Sequence, residues 1–401
     1  MESFDVLIVG GGHAGAQAAI TLRQIGFAGS VAIVSAEADP PYERPPLSKD
    51  YLAGDKTFER MLIRPPGFWD ERGITLRLGR RVVAVRPGPR TVEGESGESF
   101  GYGRLVWAAR GDPYRLRCPG ADEPTVHVIP GRADADRLIS ALPDARRVAI
   151  VGGGYIGLEA AAVLRALGHD VVLLEAAERV LSRVAGPPLS TFYEAEHRAR
   201  GVEIRTGVTV EAIEDGAVIL ASGDSVGADL VVVAIGIGAA AGPLLDAGAE
   251  RGDGVLVDEY CRTTLPDVYA VGDCALHANR FAGGARIRLE SVQNAHDQAT
   301  TAARAIAGAP QPYDCVPWFW SNQYDLRLQT VGVMRGHGDI VVRGDPSSRS
   351  FSLVYLREGR VVALDCVNAV RDYAQGRRLV LEGLVPDRGS LADATLPLKT
   401  L

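Results

Sequence analysis

The chain repeats one nucleotide-binding pattern, and that repeat limits its folds more than any other feature. Residues 6–37 read VLIVGGGHAGAQAAITLRQIGFAGSVAIVSAE, and residues 148–175 read VAIVGGGYIGLEAAAVLRALGHDVVLLE. From Val6 and Val148 to Gly26 and Gly168, roughly half of the aligned positions are identical. Each copy passes from an apolar strand through Gly-x-Gly-x-x-Gly into an Ala/Leu-rich helix and then a second apolar strand. That is the order of a β-α-β dinucleotide unit. The glycines are Gly10, Gly12 and Gly15 in the first copy, and Gly152, Gly154 and Gly157 in the second. In each set the first makes a tight turn, the second lets backbone approach a pyrophosphate, and the third lets helix pack on strand. The helix start then offers unpaired N–H groups and the positive end of its dipole. Two copies imply an α/β fold with two Rossmann-like domains and two bound dinucleotides.

At 401 residues there is material for two or three cores. A formal net charge of −7 with no basic tail excludes a nucleic-acid binder. No apolar run is long enough to span a bilayer, and the first strand begins too close to Met1 for a signal peptide. Cys118, Cys261, Cys274, Cys315 and Cys366 are scattered, odd in number and never in a C-x-x-C or C-x₄-C pattern, as expected of free thiols in a reducing cytoplasm. Only Lys49, Lys56 and Lys399 are lysines, against forty arginines, which singles out Lys49.

After the first unit, EADPPYERPPLSKDYLAGD is too proline-rich for continuous helix before Leu47. Thr75–Val85 alternates as a strand, and Leu105–Ala109 is a further apolar run. Turn-rich passages near Gly111–Gly120 and at GIGAAAGP, residues 236–243, mark crossings between domains. Pro188–Arg200 and Ser291–Ile306 read as helices, and a strand ends at Val271 with Gly272-Asp273 at its tip. From Trp318 the pattern becomes antiparallel strands with a hairpin turn at Glu358-Gly359, then an amphipathic helix near Ala369–Glu382 and a polar tail.

Taken together, GGGHAG, RPPLSK, GGGYIGLE, the carboxylate after the following strand, YAVGDCA and PWFWS resemble one family over nearly the whole chain and in the same order. It is the FAD- and NADH-dependent ferredoxin reductases of Rieske dioxygenase and cytochrome P450 systems, the putidaredoxin reductase and rubredoxin reductase family. The resemblance implies a glutathione-reductase-type fold. An FAD domain (1–111 and 240–315) would be split around an NAD domain (112–239), followed by a C-terminal α+β interface domain (316–401). Residue by residue it implies FAD contacts at Gly12, Ala14, Arg44, Lys49, Val82, Asp273 and Val292. NAD contacts would fall at Gly154, Tyr155, Ile156, Glu159, Glu175, Arg183 and Gly236, with Trp320 against the flavin ring. This chain departs from the family at three places. The usual Ala-Thr-Gly turn is Ala108-Ala109-Arg110. An Arg usual near position 130 is Pro130, with Arg132 close by. The usual Asp is Ala36, leaving Ser35 and Glu37 as candidates for the FAD ribose.

Glu175 ends the strand after the second glycine-rich helix, where a carboxylate accepts from both ribose hydroxyls and repels a 2′-phosphate, selecting NADH. Arg179 or Arg183 would soften that choice by meeting a phosphate. Asp273, at the carboxyl end of an apolar strand, suits a ribityl hydroxyl, while Cys274 beside it reads as a small buried filler. Lys49 is the cation expected to stabilise an electron-rich reduced flavin, with Glu159 holding it in place. Tyr155 is either a lid over the flavin or a packing residue. Trp318 and Phe319 read as core. The histidines show neither metal spacing nor a catalytic arrangement.

Arg64, Arg77, Arg80 and Arg81 offer a basic surface to an acidic [2Fe–2S] ferredoxin that supplies an oxygenase in aromatic hydrocarbon catabolism. Monomer and homodimer are both open. Disulfide reductases of this fold need a cysteine pair where RPPLSK stands, and NADH oxidases or peroxidases a single cysteine there. A slow flavin redox sensor is the remaining alternative.

Overall fold

The computed structural model describes all residues, 1–401. Contacts divide the chain into two units. The first comprises Met1–Arg44, Phe58–Asp112 and Gly238–Pro317; the second comprises Pro45–Thr57, Pro113–Ile237 and Trp318–Leu401.

The first unit is built on a seven-stranded sheet. Glu2–Val9 lies between Val31–Val34 and Ser99–Trp107, parallel to both. Ile74–Arg77 and Val268–Ala270 extend the parallel part, and Thr91–Gly94 and Val82–Arg86 add an antiparallel end. Val6–Val9 and Val31–Val34 are buried throughout, as a strand covered on both faces requires. Helices His13–Gln24 and Val292–Ile306 pack together through Ala-rich faces, Ser291 capping the second by accepting from the Asn294 amide.

The alternation over Thr75–Val85 hides two strands. Gly79, at φ +66°, turns the chain, so Ile74–Arg77 joins Val31–Val34 while Val82–Arg86 pairs at the opposite end of the sheet. Alternation lapses at Arg80-Arg81 and Val82-Val83, beside that turn.

The second unit carries a parallel sheet in the order Glu203–Thr206, Asp170–Glu175, Arg147–Val151, Leu230–Val233, Val126–His127. It also has a five-stranded antiparallel sheet, Trp318–Gln323, Leu326–Gly332, Arg360–Val367, Ser350–Arg357, Asp339–Asp345, with helix Val370–Glu382 packed on it. Glu358 and Gly359 both take positive φ, 52° and 76°, as a two-residue hairpin turn demands.

The polar tail is ordered, contrary to its composition. It forms short helices Arg388–Ala392 and Leu398–Thr400, and it buries Leu391 and Leu398 completely. Arg343 holds it down. This buried guanidinium pairs with Asp372 at 2.9 Å and donates to the carbonyls of Leu391, Asp393 and Leu396 at 3.2, 2.5 and 2.6 Å. A tail read alone gives no sign of a partner some fifty residues earlier.

Asp365 is buried on the same antiparallel sheet. Burial pushes its carboxyl up to about 7, partly offset by the Tyr355 hydroxyl, which donates to Oδ2 at 2.5 Å. The Tyr355 oxygen in turn accepts from the Gly186 amide. Between the ordinary aspartate value near 4 and about pH 7, the folded state binds more protons than the unfolded chain. Stability therefore falls as pH rises through that window. Asp365→Asn is expected to shrink the Tm difference between pH 5 and pH 8. Calorimetry at the two pH values checks this, and an unchanged difference would mean that the carboxyl titrates normally.

Candidate dinucleotide sites and a buried ion pair

The two glycine turns have the same geometry. Gly10 and Gly152 take φ +115° and +111°, and a Cβ on either would lie 2.3–2.4 Å from the carbonyl oxygen of Ala108 or Ala234. A Cβ on Gly15 or Gly157 would sit 1.9 or 2.0 Å from the carbonyl oxygen of Gly10 or Gly152, so only glycine lets each helix come down on its turn. A Cβ on Gly12 or Gly154 would meet nothing within 4 Å. Each of these two opens a helix that no side chain caps, leaving amides directed at open space of the kind a pyrophosphate fills. Both turns fit a dinucleotide.

At the second turn, Glu175 is held by backbone. Its Oε2 accepts from the Gly153 amide at 2.6 Å and its Oε1 from the Ala177 amide at 2.7 Å, fixing the carboxylate beside the glycines. Ile156 is exposed at the helix start, and the Arg183 guanidinium lies against Gly236. Arg179 is committed elsewhere, donating to Ala185 O, Ser182 O and Ser190 Oγ, which leaves Arg183 as the arginine with an exposed side chain here.

At the first turn, Ser35 stands where Glu175 stands in the second, its hydroxyl beside Gly11. It is buried and accepts from the Glu37 amide at 3.2 Å. Glu37 is bound by Arg44 at 2.6 Å and by the Tyr42 hydroxyl, and Arg44 holds its carboxyl below the usual range despite burial. Ala14 lies against Gly272, whose amide donates to Gln298. Burial, reinforced by Glu290, pushes the Asp273 carboxyl up to about 6. Val82 opens its strand and Val292 its helix. Arg110 adopts φ +53°, the left-handed conformation that a glycine takes without strain. Burial lowers its pKa and Glu37 counters that, so this departure adds a guanidinium near Glu37 and Arg44. Burial also drives His13, beside His296 with ring centroids 5.7 Å apart, down to about 3, which keeps the helix start uncharged.

The second unit brings Lys49 and Glu159 together. Pro45–Ser48 forms one 3₁₀ turn, and Lys49 Nζ lies 2.6 Å from Glu159 Oε2. Glu159 is 3% exposed. Ser48 also donates to Oε2 at 2.9 Å, and Ser321 donates to Oε1 at 2.6 Å. In strand Trp318–Gln323 alternate side chains share a face. Phe319 stacks on Tyr155 at 4.7 Å and Ser321 reaches Glu159, whereas Trp320 lies on the other face beside Trp318 at 5.6 Å. Phe319 is thus the packing partner of Tyr155, whose hydroxyl burial pushes well above its ordinary value. Ser48, Ser321 and Gln323 escaped the sequence reading. Ser321 and Gln323 sit two apart in an aromatic strand and Ser48 in a proline-rich turn, where polar residues declare no role by themselves.

All five cysteines are free, no cluster of His, Cys, Asp and Glu is arranged to hold a metal, and no helix is long and apolar enough to cross a membrane. Of the four surface arginines, Arg77 pairs with Glu2 at 2.9 Å and Arg80 faces Glu98 at 3.9 Å.

Two glycine cradles, one backed by a fixed carboxylate, define a flavoprotein of the class that binds two dinucleotides. Comparison with known proteins agrees. Residues 4–299 match the family described as "Pyridine nucleotide-disulphide oxidoreductase", and residues 318–401 match "Reductase C-terminal". The chain is 60% identical to the 5,5'-dehydrodivanillate O-demethylase ferredoxin reductase subunit of a Sphingobium species, over 100% of this chain and 99% of the relative. The crystal structure of the ferredoxin reductase for the CYP199A2 system of Rhodopseudomonas palustris superposes with a TM-score of 0.95 at 36% identity, covering 100% of this chain and 99% of that one. The covalent putidaredoxin reductase–putidaredoxin complex gives 0.95 at 35%, covering 99% and 97%. The chain belongs to the pyridine nucleotide-disulphide oxidoreductase family, within its FAD-dependent NADH:ferredoxin reductases.

The glycines separate binding from folding. Gly12→Ala is expected to keep the Tm of the FAD-free protein within about a degree or two and to lower the FAD content of the purified protein. Gly157→Ala is expected to lower Tm by several degrees through the clash with Gly152. Thermal melts and flavin absorbance check both, and equal effects from the two variants would contradict the geometry.

Proposed function

We propose that this reductase supplies a [2Fe–2S] ferredoxin feeding an aromatic-ring dioxygenase or P450 monooxygenase, in the cytoplasm. In this reading FAD occupies the cradle at Gly10–Gly15, within a domain of residues 1–111 and 240–315. NADH occupies the cradle at Gly152–Gly157, within residues 112–239, and residues 316–401 form the interface domain. When bound, FAD accepts a hydride equivalent from NADH and releases electrons singly, which is the conversion a one-electron carrier needs.

One observation carries the reading. Where disulfide-reducing members of the fold need cysteines, this chain has Pro45–Asp50, and the reactive group fixed there is the Lys49 ammonium, held by Glu159. A cation stabilises charge that develops on the flavin during reduction. Ser35 and Glu37 serve the FAD ribose, Asp273 the ribityl chain, and Arg44, Ala14, Val82, Gly272 and Val292 complete that site. Glu175 takes the NADH ribose, with Tyr155, Ile156, Arg183 and Gly236 around the nucleotide, and Trp320 serves the flavin. An acidic partner suits Arg64 and Arg81 better than Arg77 and Arg80, which Glu2 and Glu98 partly neutralise. The test is NADH oxidation by the yellow holoenzyme with and without an added [2Fe–2S] ferredoxin. A ferredoxin-independent rate as large as the dependent one would favour an oxidase.

For coenzyme choice, Glu175→Ala should narrow the preference for NADH over NADPH. A lost charge-assisted hydrogen bond costs about 1.5–3 kcal/mol, roughly ten- to a hundredfold in affinity. KM values for both coenzymes measure it, and two unchanged values would make Glu175 a scaffold for the glycine turn alone. For the chemistry, Lys49→Met should slow the limiting rate of flavin reduction more than it weakens NADH binding. Stopped-flow bleaching of the oxidised flavin decides, and an unchanged limiting rate removes Lys49 from the reaction.

A further inference from the structure

A chain of buried side chains leads away from Glu159 to the surface of the second unit. Ser321 Oγ is 2.6 Å from Glu159 Oε1, Gln323 Nε2 is 3.2 Å from Ser321 Oγ, His197 Nε2 is 2.9 Å from Gln323 Oε1, and the Tyr324 hydroxyl is 3.1 Å from His197 Nδ1. Ser321, Gln323 and His197 are at most 1% exposed.

The donors can be assigned from one end. The Gln323 amide nitrogen faces Ser321, so its oxygen faces His197 and accepts, and the ring proton therefore sits on Nε2. Nδ1 is left with a lone pair, which the Tyr324 hydroxyl fills. The serine oxygen already accepts from Gln323, so its own proton goes to Glu159. Every donor in the chain points toward the carboxylate. Burial drives the His197 pKa down to about 4, so the ring is neutral near pH 7 and carries the single proton this pattern requires.

Tyr324 starts the chain under conformational strain. It takes φ +55° in the tight turn between strands Trp318–Gln323 and Leu326–Gly332, where a glycine would sit without cost. What holds it there is its ring against His197 at 5.0 Å, with the Arg200 guanidinium 4.4 Å over the ring. Arg200 is itself paired with Glu196 and Asp325.

We propose that Ser321, Gln323, His197 and Tyr324 are positioning residues for the Lys49–Glu159 pair, a one-way hydrogen-bond chain whose direction is set by the acceptor-only carboxylate and held by the His197 Nε2 proton on Gln323. Without the His197 ring nothing holds the Gln323 carbonyl away from Ser321. If the Gln323 amide turns over, the Ser321 proton points to its oxygen, and a serine lone pair faces the carboxylate. Glu159 then loses its Oε1 donor, and its hold on Lys49 slackens. The proposal rests on the reading above that Lys49 acts in flavin reduction.

The test uses ¹⁵N-histidine-labelled holoenzyme and its Tyr324→Phe variant, with His197→Leu, Ser321→Ala and Lys49→Met. In the wild type the His197 ring nitrogens are expected to report a proton on Nε2 and none on Nδ1, and Tyr324→Phe should keep that pattern. The limiting rate of flavin reduction in His197→Leu should fall roughly three- to tenfold, the size of one net hydrogen bond, with the NADH dissociation constant within about twofold. Ser321→Ala should fall at least as far. A wild-type proton on Nδ1 overturns the direction of the chain. A lowered Tm with an unchanged rate in both His197→Leu and Ser321→Ala makes the chain merely structural. If Lys49→Met leaves the rate unchanged, the reading of Lys49 fails instead, whatever the tautomer.

Discussion

Both nucleotide sites depend on one steric constraint, the near-contact between a helix and the turn that precedes it. At Gly15 and Gly157 a single added carbon would lie within about 2 Å of a carbonyl oxygen, so the helix axis can point at the turn only if that carbon is missing. The second glycine of each motif leaves space, and the first turns the chain beneath the neighbouring strand. The two sites diverge at the helix start, where His13 stands against Tyr155, and at the end of the second strand, where one copy presents Ser35 and the other Glu175.

A second constraint is electrostatic. A buried carboxylate is costly unless charge and hydrogen bonds compensate it, and removing one partner of a buried pair typically costs about 3–5 kcal/mol. Glu159 meets the requirement with a lysine and two serines, drawn from segments that lie 111 and 162 residues away in the chain. Lysine suits that place better than arginine, because a compact ammonium directs its charge at one point while a guanidinium spreads it over a planar fork. In a chain with forty arginines, that exception carries information.

The parallel sheets were legible because a glycine motif between two apolar runs has few other folds. The hairpin at Glu358-Gly359 was legible because its turn demands positive φ. Other features were hidden because their cause lies far off in sequence. The strand pair within 74–86 reads as one run, and its halves are told apart only by pairing at opposite ends of the sheet. The tail after Val385 looks polar because the donors that order it belong to Arg343. At the site, Lys49 and Glu159 stood out by motif. Ser321 and Gln323 did not, since a serine and a glutamine in an aromatic strand declare a role only once the opposing helix is known. His197 was hidden differently, on the buried face of its helix with Leu189 and Tyr193, where a histidine reads as packing.

The separation between Glu159 and Ser321 also has a consequence in time. Ribosomes add about 5–20 residues per second and domains generally form as their residues emerge. The helix bearing Glu159 is therefore complete roughly ten to thirty seconds before the strand that supplies its last donor. During that interval the carboxylate has only Ser48 and Lys49 from the nascent chain, and water must serve the remaining oxygen. The dry, fully bonded charge pair is thus a late product of synthesis, assembled after the glycine turns that precede it in the chain.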